Sequence, residues 1–504
     1  MEFVSHPWIA PNTIEKRKYQ EHVVASAIDG NTLVVLPTGL GKTSIAALVA
    51  AFKLQRDMNK KILFLAPTRP LVEQQCVTFG RYMRIGLEMK VITGSTNPAD
   101  RKTLYLKADV IFSTPQTIEN DLKSGILSLE NFSVCIFDEA HRAVGNYAYP
   151  YIAKAYMASA RDPLIVALTA SPGAERAKIE EVKRMLFIKN VEIRSRDDDD
   201  VKPYVHAVEQ ERIEVELTEP MKSLRKYITN VREERIKKLM TWGIIKTPNI
   251  GKAYILKLQE ELSKNKTGYS FAAMSVLAEI LKLDHALVLL ETQSLYSTKK
   301  YFDRMLLQET RAVERLIRED GVRNAMRLLS ELVEEGQEHP KLAKLKEIVK
   351  REIERDKFSR IMVFAQYRDT IEKIYNELLG VEGVNPVQFI GQAKKSGKGL
   401  SQKEQVQILN EFKMGFHNVL VASSVGEEGL DVAETNVVVF YEPISSAVRK
   451  IQRSGRTART QAGRVVVLMT KGTRDEAYHW AGFNREKNMK KILYGMSNSL
   501  KKYV

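Results

Sequence analysis

Between residues 30 and 190 one pattern repeats: a continuous apolar run, a polar or glycine-containing corner, then a stretch with helical spacing. The predicted strands are Thr32–Leu36, Lys61–Ala66, Asp109–Ser113, Val134–Phe137 and Leu164–Leu168. Runs of Val, Ile and Leu without alternation suit strands covered on both faces, and strand–helix alternation dictates a doubly wound parallel sheet. A second series starts near residue 358, with strands at Ile361–Phe364, Val387–Ile390, Val419–Ala422, Val437–Tyr441 and Val465–Met469. A chain of 504 residues also exceeds what one hydrophobic core organises. The expected fold class is α/β, two doubly wound parallel-sheet domains with an inserted all-α domain between them. The expected boundaries are 1–207, 208–335 and 336–504.

The interval between the two series reads differently. Residues 210–217 alternate like a strand leaving the first domain, and Thr218-Glu219-Pro220 has the cap, early acid and proline of a helix start. Val276, Ile280, Leu283, Leu287 and Leu290 then step by four and three, the seam of a helix packed on helices. Asp197–Asp200 reads as a solvated loop rather than a metal site.

Charge narrows the partner. The chain carries +16, which suggests an anionic partner such as a polyphosphate backbone. Residues 221–270 hold twelve basic and four acidic side chains, so half of that excess lies in about a tenth of the length. The insert is therefore expected to be the basic, nucleic-acid-binding part. The only cysteines are Cys76 and Cys135, the second inside an apolar strand, so neither a disulfide framework nor a zinc site is expected. No secretory leader or membrane-length apolar run occurs, and a cytoplasmic, nucleoid-associated location is expected.

Leu36-Pro37-Thr38-Gly39-Leu40-Gly41-Lys42-Thr43 follows a strand and opens a helix, the context of a phosphate-binding loop. Glycines let backbone N–H groups close on phosphate oxygens, and the helix N-terminus adds positive potential. Lys42 is placed to reach β- and γ-phosphates, and the Thr43 hydroxyl to ligate Mg²⁺. Leu36 stands where the general pattern has its first glycine. Asp138-Glu139-Ala140-His141 closes another strand. Asp138 supplies a second oxygen for Mg²⁺, and Glu139 is placed to orient and deprotonate the attacking water. ATP and Mg²⁺ are the expected cofactors.

These two motifs resemble those of superfamily 2 helicases, and further motifs of that family follow in order. Arg17-Lys-Tyr-Gln20 looks like the adenine-reading segment. Ala66-Pro-Thr68-Arg69 is similar to motif Ia, with Gly94-Ser95 and Thr114-Pro115 resembling the next strand contacts and Thr169-Ala-Ser171 motif III. Gln366-Tyr-Arg368 resembles part of motif IV, Ser423-Ser424 through Gly429 and Asp431 motif V, and Gln452 through Arg456 and Arg459 motif VI. The similarity is closer still to the archaeal Hef and Fanconi-anaemia-M helicases, which process branched DNA at stalled replication forks, and it runs over essentially the whole chain.

The resemblance implies two RecA-like domains with ATP in the cleft between them. It implies ATP contacts from Arg17, Gln20, the loop from Pro37 to Thr43, Gly429 and Asp431. Catalytic roles fall to Lys42, Asp138, Glu139, Gln452 and the arginine fingers Arg456 and Arg459, with His141, Thr169 and Ser171 coupling hydrolysis to closure. Nucleic acid is implied across Thr68, Arg69, Gly94, Ser95, Thr114 and Pro115 of one domain and Gln366, Arg368, Gly391, Gln392, Ser423 and Ser424 of the other. An RNA-directed translocase of the same superfamily is the alternative. Archaeal relatives carry an XPF-type nuclease with a Glu-Arg-Lys-x-x-x-Asp core; no such string occurs here, so no cleavage is expected of this chain. A nuclease domain in a longer protein and a nuclease-free relative both stay open.

Overall fold

The computed structural model describes residues 2–173, 175–205, 208–265, 267–391, 399–423, 435–444 and 463–496. Seven strands form the first sheet: β1 (Thr32–Val35), β2 (Lys61–Leu65), β3 (Met89–Ile92), β4 (Val110–Ser113), β5 (Phe132–Phe137), β6 (Ile165–Thr169) and β7 (Asn190–Ile193). Their order is β3-β4-β2-β5-β6-β1-β7, and every pairing is parallel. Helices α1 (Lys18–Asp29), α2 (Lys42–Arg56), α3 (Arg69–Tyr82), α4 (Pro98–Lys107), α5 (Pro115–Lys123), α6 (Ala148–Ser159) and α7 (Arg176–Met185) cover its faces. The inner strands β1, β4 and β5 are buried along their whole length, which is why their sequences do not alternate. Sequence reasoning missed β3 and β7. Both are edge strands with polar residues in a run of four, so neither makes a continuous apolar signal.

The second sheet contains β8 (Val208–Val215), β9 (Ile361–Phe364), β10 (Pro386–Phe389), β11 (Val419–Ala422), β12 (Val437–Phe440) and β13 (Gly463–Thr470), in the order β10-β11-β9-β12-β13-β8. Here one expectation changes. The alternating segment after residue 207 does not belong to the insert: β8 pairs in parallel with β13 over its full length, from Val208 beside Gly463 to Val215 beside Thr470. Its alternation is that of an edge strand with one face on the core. The chain thus enters the second sheet, leaves it for the insert, and returns.

The insert comprises α8 (Glu219–Thr241), α9 (Lys252–Lys264), α10 (Gly268–Thr292), α11 (Leu295–Leu306), α12 (Arg311–Arg318) and α13 (Asp320–Glu334). Val276, Ile280, Leu283, Leu287 and Leu290 are all buried in α10, as their spacing requires. Three arginines of the basic stretch turn inward. Arg225 pairs with Glu291, Arg232 with Asp284 at 2.7 Å, and Arg235 with Glu279 at 2.6 Å and also with Glu319. They fasten α8 to α10 and to the corner between α12 and α13, while Lys237, Lys238, Lys246 and Lys252 face solvent.

Past the insert come α14 (Pro340–Arg355), α15 (Arg368–Leu379), α16 (Gln402–Met414) and α17 (Arg474–Met496). The insert is seated on the second sheet by buried polar groups. The Gln293 amide donates to Glu442 at 3.2 Å and accepts from Thr370 at 3.0 Å, and the Tyr441 hydroxyl donates to the Gln293 carbonyl at 2.9 Å. Lys341 and Asp475, both fully buried, form an ion pair beneath this junction, with the ammonium also donating to the Thr292 carbonyl. Left unpaired, either charge would cost several kcal/mol there, about 3–5 by comparison with broken buried pairs. Helix α17 starts at that ion pair and ends on the first domain, where Met489 and Leu493 enter the core beside Ile179 and Val182. The Asp197–Asp200 loop is occupied by cations and hydroxyls: Arg194 holds Asp200 and Tyr494 donates to Asp198. Among the described residues no group of three or more His, Cys, Asp or Glu side chains is placed to hold a metal ion, and no helix is long and apolar enough to cross a membrane.

Candidate nucleotide site and nucleic-acid interface

The loop between β1 and α2 turns on two glycines, Gly39 at φ 88° and Gly41 at φ 78°. A side chain in this left-handed region costs roughly 1–2 kcal/mol. At Gly41 a Cβ would also lie 2.4 Å from Gln20 Nε2, so α1 can approach the loop only because that side chain is absent. Gly41→Ala is therefore expected to weaken nucleotide binding about tenfold, read by titrating a fluorescent ADP analogue. Unchanged affinity would mean that the packing of α1 on the loop is dispensable.

Gln20 is buried and braces the loop from below. Its amide donates to the Leu40 carbonyl at 3.3 Å, and the Tyr19 hydroxyl reaches the same oxygen at 2.9 Å. Arg17 pairs instead with Glu15 at 2.9 Å and lies over the Tyr204 ring, so of the two residues only Gln20 touches the loop. Lys42 Nζ donates to the Leu36 carbonyl at 3.1 Å, across the loop from its own helix. The Thr38 hydroxyl is buried without a hydrogen-bond partner among the described residues, a donor suited to a phosphate oxygen.

Asp138 follows the last residue of β5, and β6 intervenes between that strand and β1. Its backbone is pinned on both sides: its N–H donates to the Leu65 carbonyl at 2.9 Å, and its carbonyl accepts from the Tyr149 hydroxyl at 2.6 Å. Burial pushes the Asp138 carboxyl up to about 7, and the neighbouring Glu139 charge adds to this, while Lys42 and the Gln75 amide oppose it. A buried acid of this kind gains most from a nearby cation. The Thr43 hydroxyl donates to Gln75 Oε1 at 2.8 Å, and Gln75 Nε2 donates to Asp138 Oδ2 at 3.0 Å. These oxygen donors fit a hard divalent cation such as Mg²⁺.

Glu139 has φ 50°, a left-handed conformation rare for a residue with a side chain. Burial works to raise its pKa, but the hydrogen bond with His141 and the Lys42 charge prevail and hold it below the usual carboxylate value. His141 Nδ1 lies 3.3 Å from Glu139 Oε2 and 3.2 Å from Thr169 Oγ1. Thr169 in turn accepts the Leu36 N–H on its carbonyl at 3.0 Å and exchanges hydrogen bonds with Ser171 at 3.1 Å. Loop, β6, His141 and Glu139 are thus one connected network. Ser171 extends it to α17, where its hydroxyl is 2.8 Å from Met489 Sδ.

The residues expected on nucleic acid lie on the other half of the same strand ends. Thr68, Gly94–Ser95 and Thr114 follow β2, β3 and β4, which are neighbours in the order β3-β4-β2. Arg69, Gly94 and Ser95 are exposed, whereas Pro115 is buried as the first residue of α5, so its side chain offers no surface. In the second domain Gln366 follows β9, Gly391 lies beyond β10, and Ser423 follows β11, again three adjacent strands. Arg368 donates to the Gly391 carbonyl at 3.2 Å, while Gly391 and Ser423 are buried, leaving Gln366 exposed. Gln392, Ser424, Gly429, Asp431, Gln452, Arg456 and Arg459 lie outside the described residues.

Sequence reasoning missed Gln75, Tyr149 and Tyr19. A signal for Gln75 existed: Val72 and Phe79 are buried, and residue 75 shares their helical face, so a glutamine there is a polar group aimed inward.

Comparison with known proteins places these motifs. The family "DEAD/DEAH box helicase" matches residues 17–179, "Helicase conserved C-terminal domain" matches 340–461, and "Putative ATP-dependent RNA helicase, helical bundle" matches 220–336. The "Putative ATP-dependent RNA helicase MJ1505" of Methanocaldococcus jannaschii is 41% identical over 99% of this chain, which spans 63% of that relative's length. The "DEAD-box ATP-dependent DNA helicase Fancm" of Drosophila melanogaster is 33% identical over 97% of the chain, which spans 35% of it. The crystal structure of the Pyrococcus furiosus Hef helicase domain is similar at 44% identity and a TM-score of 0.72, covering 92% of this chain and 98% of that one. The chain belongs to the Hef and Fanconi-anaemia-M family of superfamily 2 ATP-dependent helicases.

Proposed function

We propose that this protein hydrolyses ATP at the seam between its two RecA-like domains to move on branched or forked DNA. The observation that carries the reading is the network joining Lys42, Asp138, Glu139, His141 and Thr169, built at the ends of β1, β5 and β6. The expected nucleic-acid contacts occupy the ends of β2, β3 and β4 in the same sheet. Lys42 and the loop N–H groups hold the β- and γ-phosphates. Thr43 and Asp138 would hold Mg²⁺, which would neutralise charge on the phosphates when bound. Glu139 orients water and takes its proton as the oxygen attacks the γ-phosphorus; the bond to the bridging oxygen breaks and ADP leaves. Arg456 and Arg459 approach from the second domain and stabilise charge on the transferred group, and Gln452 lies in the same segment. His141, Thr169 and Ser171 pass the state of the site to the rest of the fold.

Small hydroxyls and backbone N–H groups on the strand-end face hold phosphates without reading bases. The exposed lysines of the insert bind duplex arms. Replacing Lys237, Lys246 and Lys252 together by glutamine is expected to flatten the slope of log affinity against log salt by about 3, roughly 0.9 for each phosphate no longer neutralised. An unchanged slope for forked DNA would take the arms off this surface.

The name of the Methanocaldococcus relative favours a second reading, an RNA substrate. ATP turnover measured with single-stranded, duplex, forked and four-way DNA, and with the matching RNAs, separates the two. The proposal requires the strongest stimulation from forked or four-way DNA. Equal or stronger stimulation by the RNAs overturns the DNA assignment.

A further inference from the structure

The amide of Gln75 spans the two side chains expected to hold the metal. It accepts from Thr43 Oγ1 at 2.8 Å and donates to Asp138 Oδ2 at 3.0 Å. The amide satisfies both neighbours at once, its oxygen accepting from the hydroxyl and its NH₂ donating to the carboxyl group. Gln75 comes from α3, a separate element from α2, whose first turn carries Thr43, and from β5, which Asp138 follows. Thr43 opens α2 after β1 and Asp138 follows β5, and β6 lies between those two strands, so no backbone pairing links them directly. The core side of α3, with Val72 and Phe79 buried, fixes where the amide can reach.

We infer that Gln75 is a positioning residue of the magnesium site, setting the separation and orientation of the Thr43 hydroxyl and the Asp138 carboxylate. This rests on those two residues being the metal's protein ligands. Without the amide, Thr43 loses the acceptor that fixes its hydroxyl, and Asp138 loses the N–H that orients its carboxyl group. Groups that orient ligands in this way typically contribute 10- to 100-fold to metal affinity.

The test is equilibrium binding of a fluorescent ADP analogue to the whole chain, titrated with Mg²⁺ and repeated in EDTA, which needs no turnover. Gln75→Met keeps the length and apolar stem of the side chain without its hydrogen bonds; Gln75→Ala serves as a second variant should the first fold poorly. The Mg²⁺ midpoint is expected to rise at least about tenfold in either variant, with affinity in EDTA and the melting temperature near wild type. A wild-type midpoint in a folded variant overturns the role of Gln75 alone. Equal Mg²⁺ enhancement in the wild type and in Asp138→Asn overturns the ligand assignment, and the role of Gln75 with it.

Discussion

Replacing Glu139 by glutamine is expected to lower ATP turnover by about 10²–10⁴, the usual contribution of a positioned general base, while Mg²⁺·ATP still binds. The substitution keeps the size and shape of the side chain, but it removes the negative charge and replaces one acceptor oxygen by an NH₂ donor, so the group can no longer take a proton. The geometry makes the residue well suited to that task. Its carboxylate is held ionised although buried, because His141 and Lys42 outweigh the cost of desolvation. Its backbone is held in a left-handed conformation that a glutamate does not adopt without support, and the N–H of Glu139 donates to Asp138 Oδ1 at 3.0 Å. Steady-state phosphate release measures the loss, and nucleotide titration checks that binding survives. Turnover within a few-fold of wild type would assign the proton to another group.

The second large effect is expected at Arg456, the proposed arginine finger. Arg456→Ala is expected to reduce turnover by about 10³–10⁵, the range found when an arginine finger is withdrawn from a phosphoryl transfer. ATP affinity should change far less, because the loop, Lys42 and Thr43 all belong to the first domain. A residue acting only through folding would instead lower the melting temperature and spoil both quantities together. The discriminating result is a fall in kcat with nucleotide affinity retained; a normal kcat removes Arg456 from the reaction.

Inner strands were legible because burial on both faces writes itself as uninterrupted Val, Ile and Leu, as at β1 and β5. The edge strands β3 and β7 were not, since both mix polar residues with apolar ones in a run of four; β8 was legible as an alternating strand but not in its place. The assignment of β8 to the second sheet depends on a partner, β13, some 250 residues away in the chain, roughly the separation at which local pattern carries no information. The phosphate loop and Asp138-Glu139 were legible because each is a short string with fixed chemistry at a strand end. Gln75 was legible only as a polar group on the inward face of α3, because its role lies in two hydrogen bonds to distant segments. The basic insert was legible in its total charge but not in its use: Arg225, Arg232 and Arg235 are spent inside the bundle, and only the pairing with Glu291, Asp284 and Glu279 reveals it.

Determining the structure of the Glu139→Gln protein with Mg²⁺, ATP and forked DNA tests the shared active site most directly. The guanidinium groups of Arg456 and Arg459 should stand within about 3 Å of γ-phosphate oxygens, opposite Lys42, with DNA along the ends of β2, β3 and β4. A γ-phosphate enclosed by the first domain alone, with both arginines on the outer surface, would contradict hydrolysis at the seam.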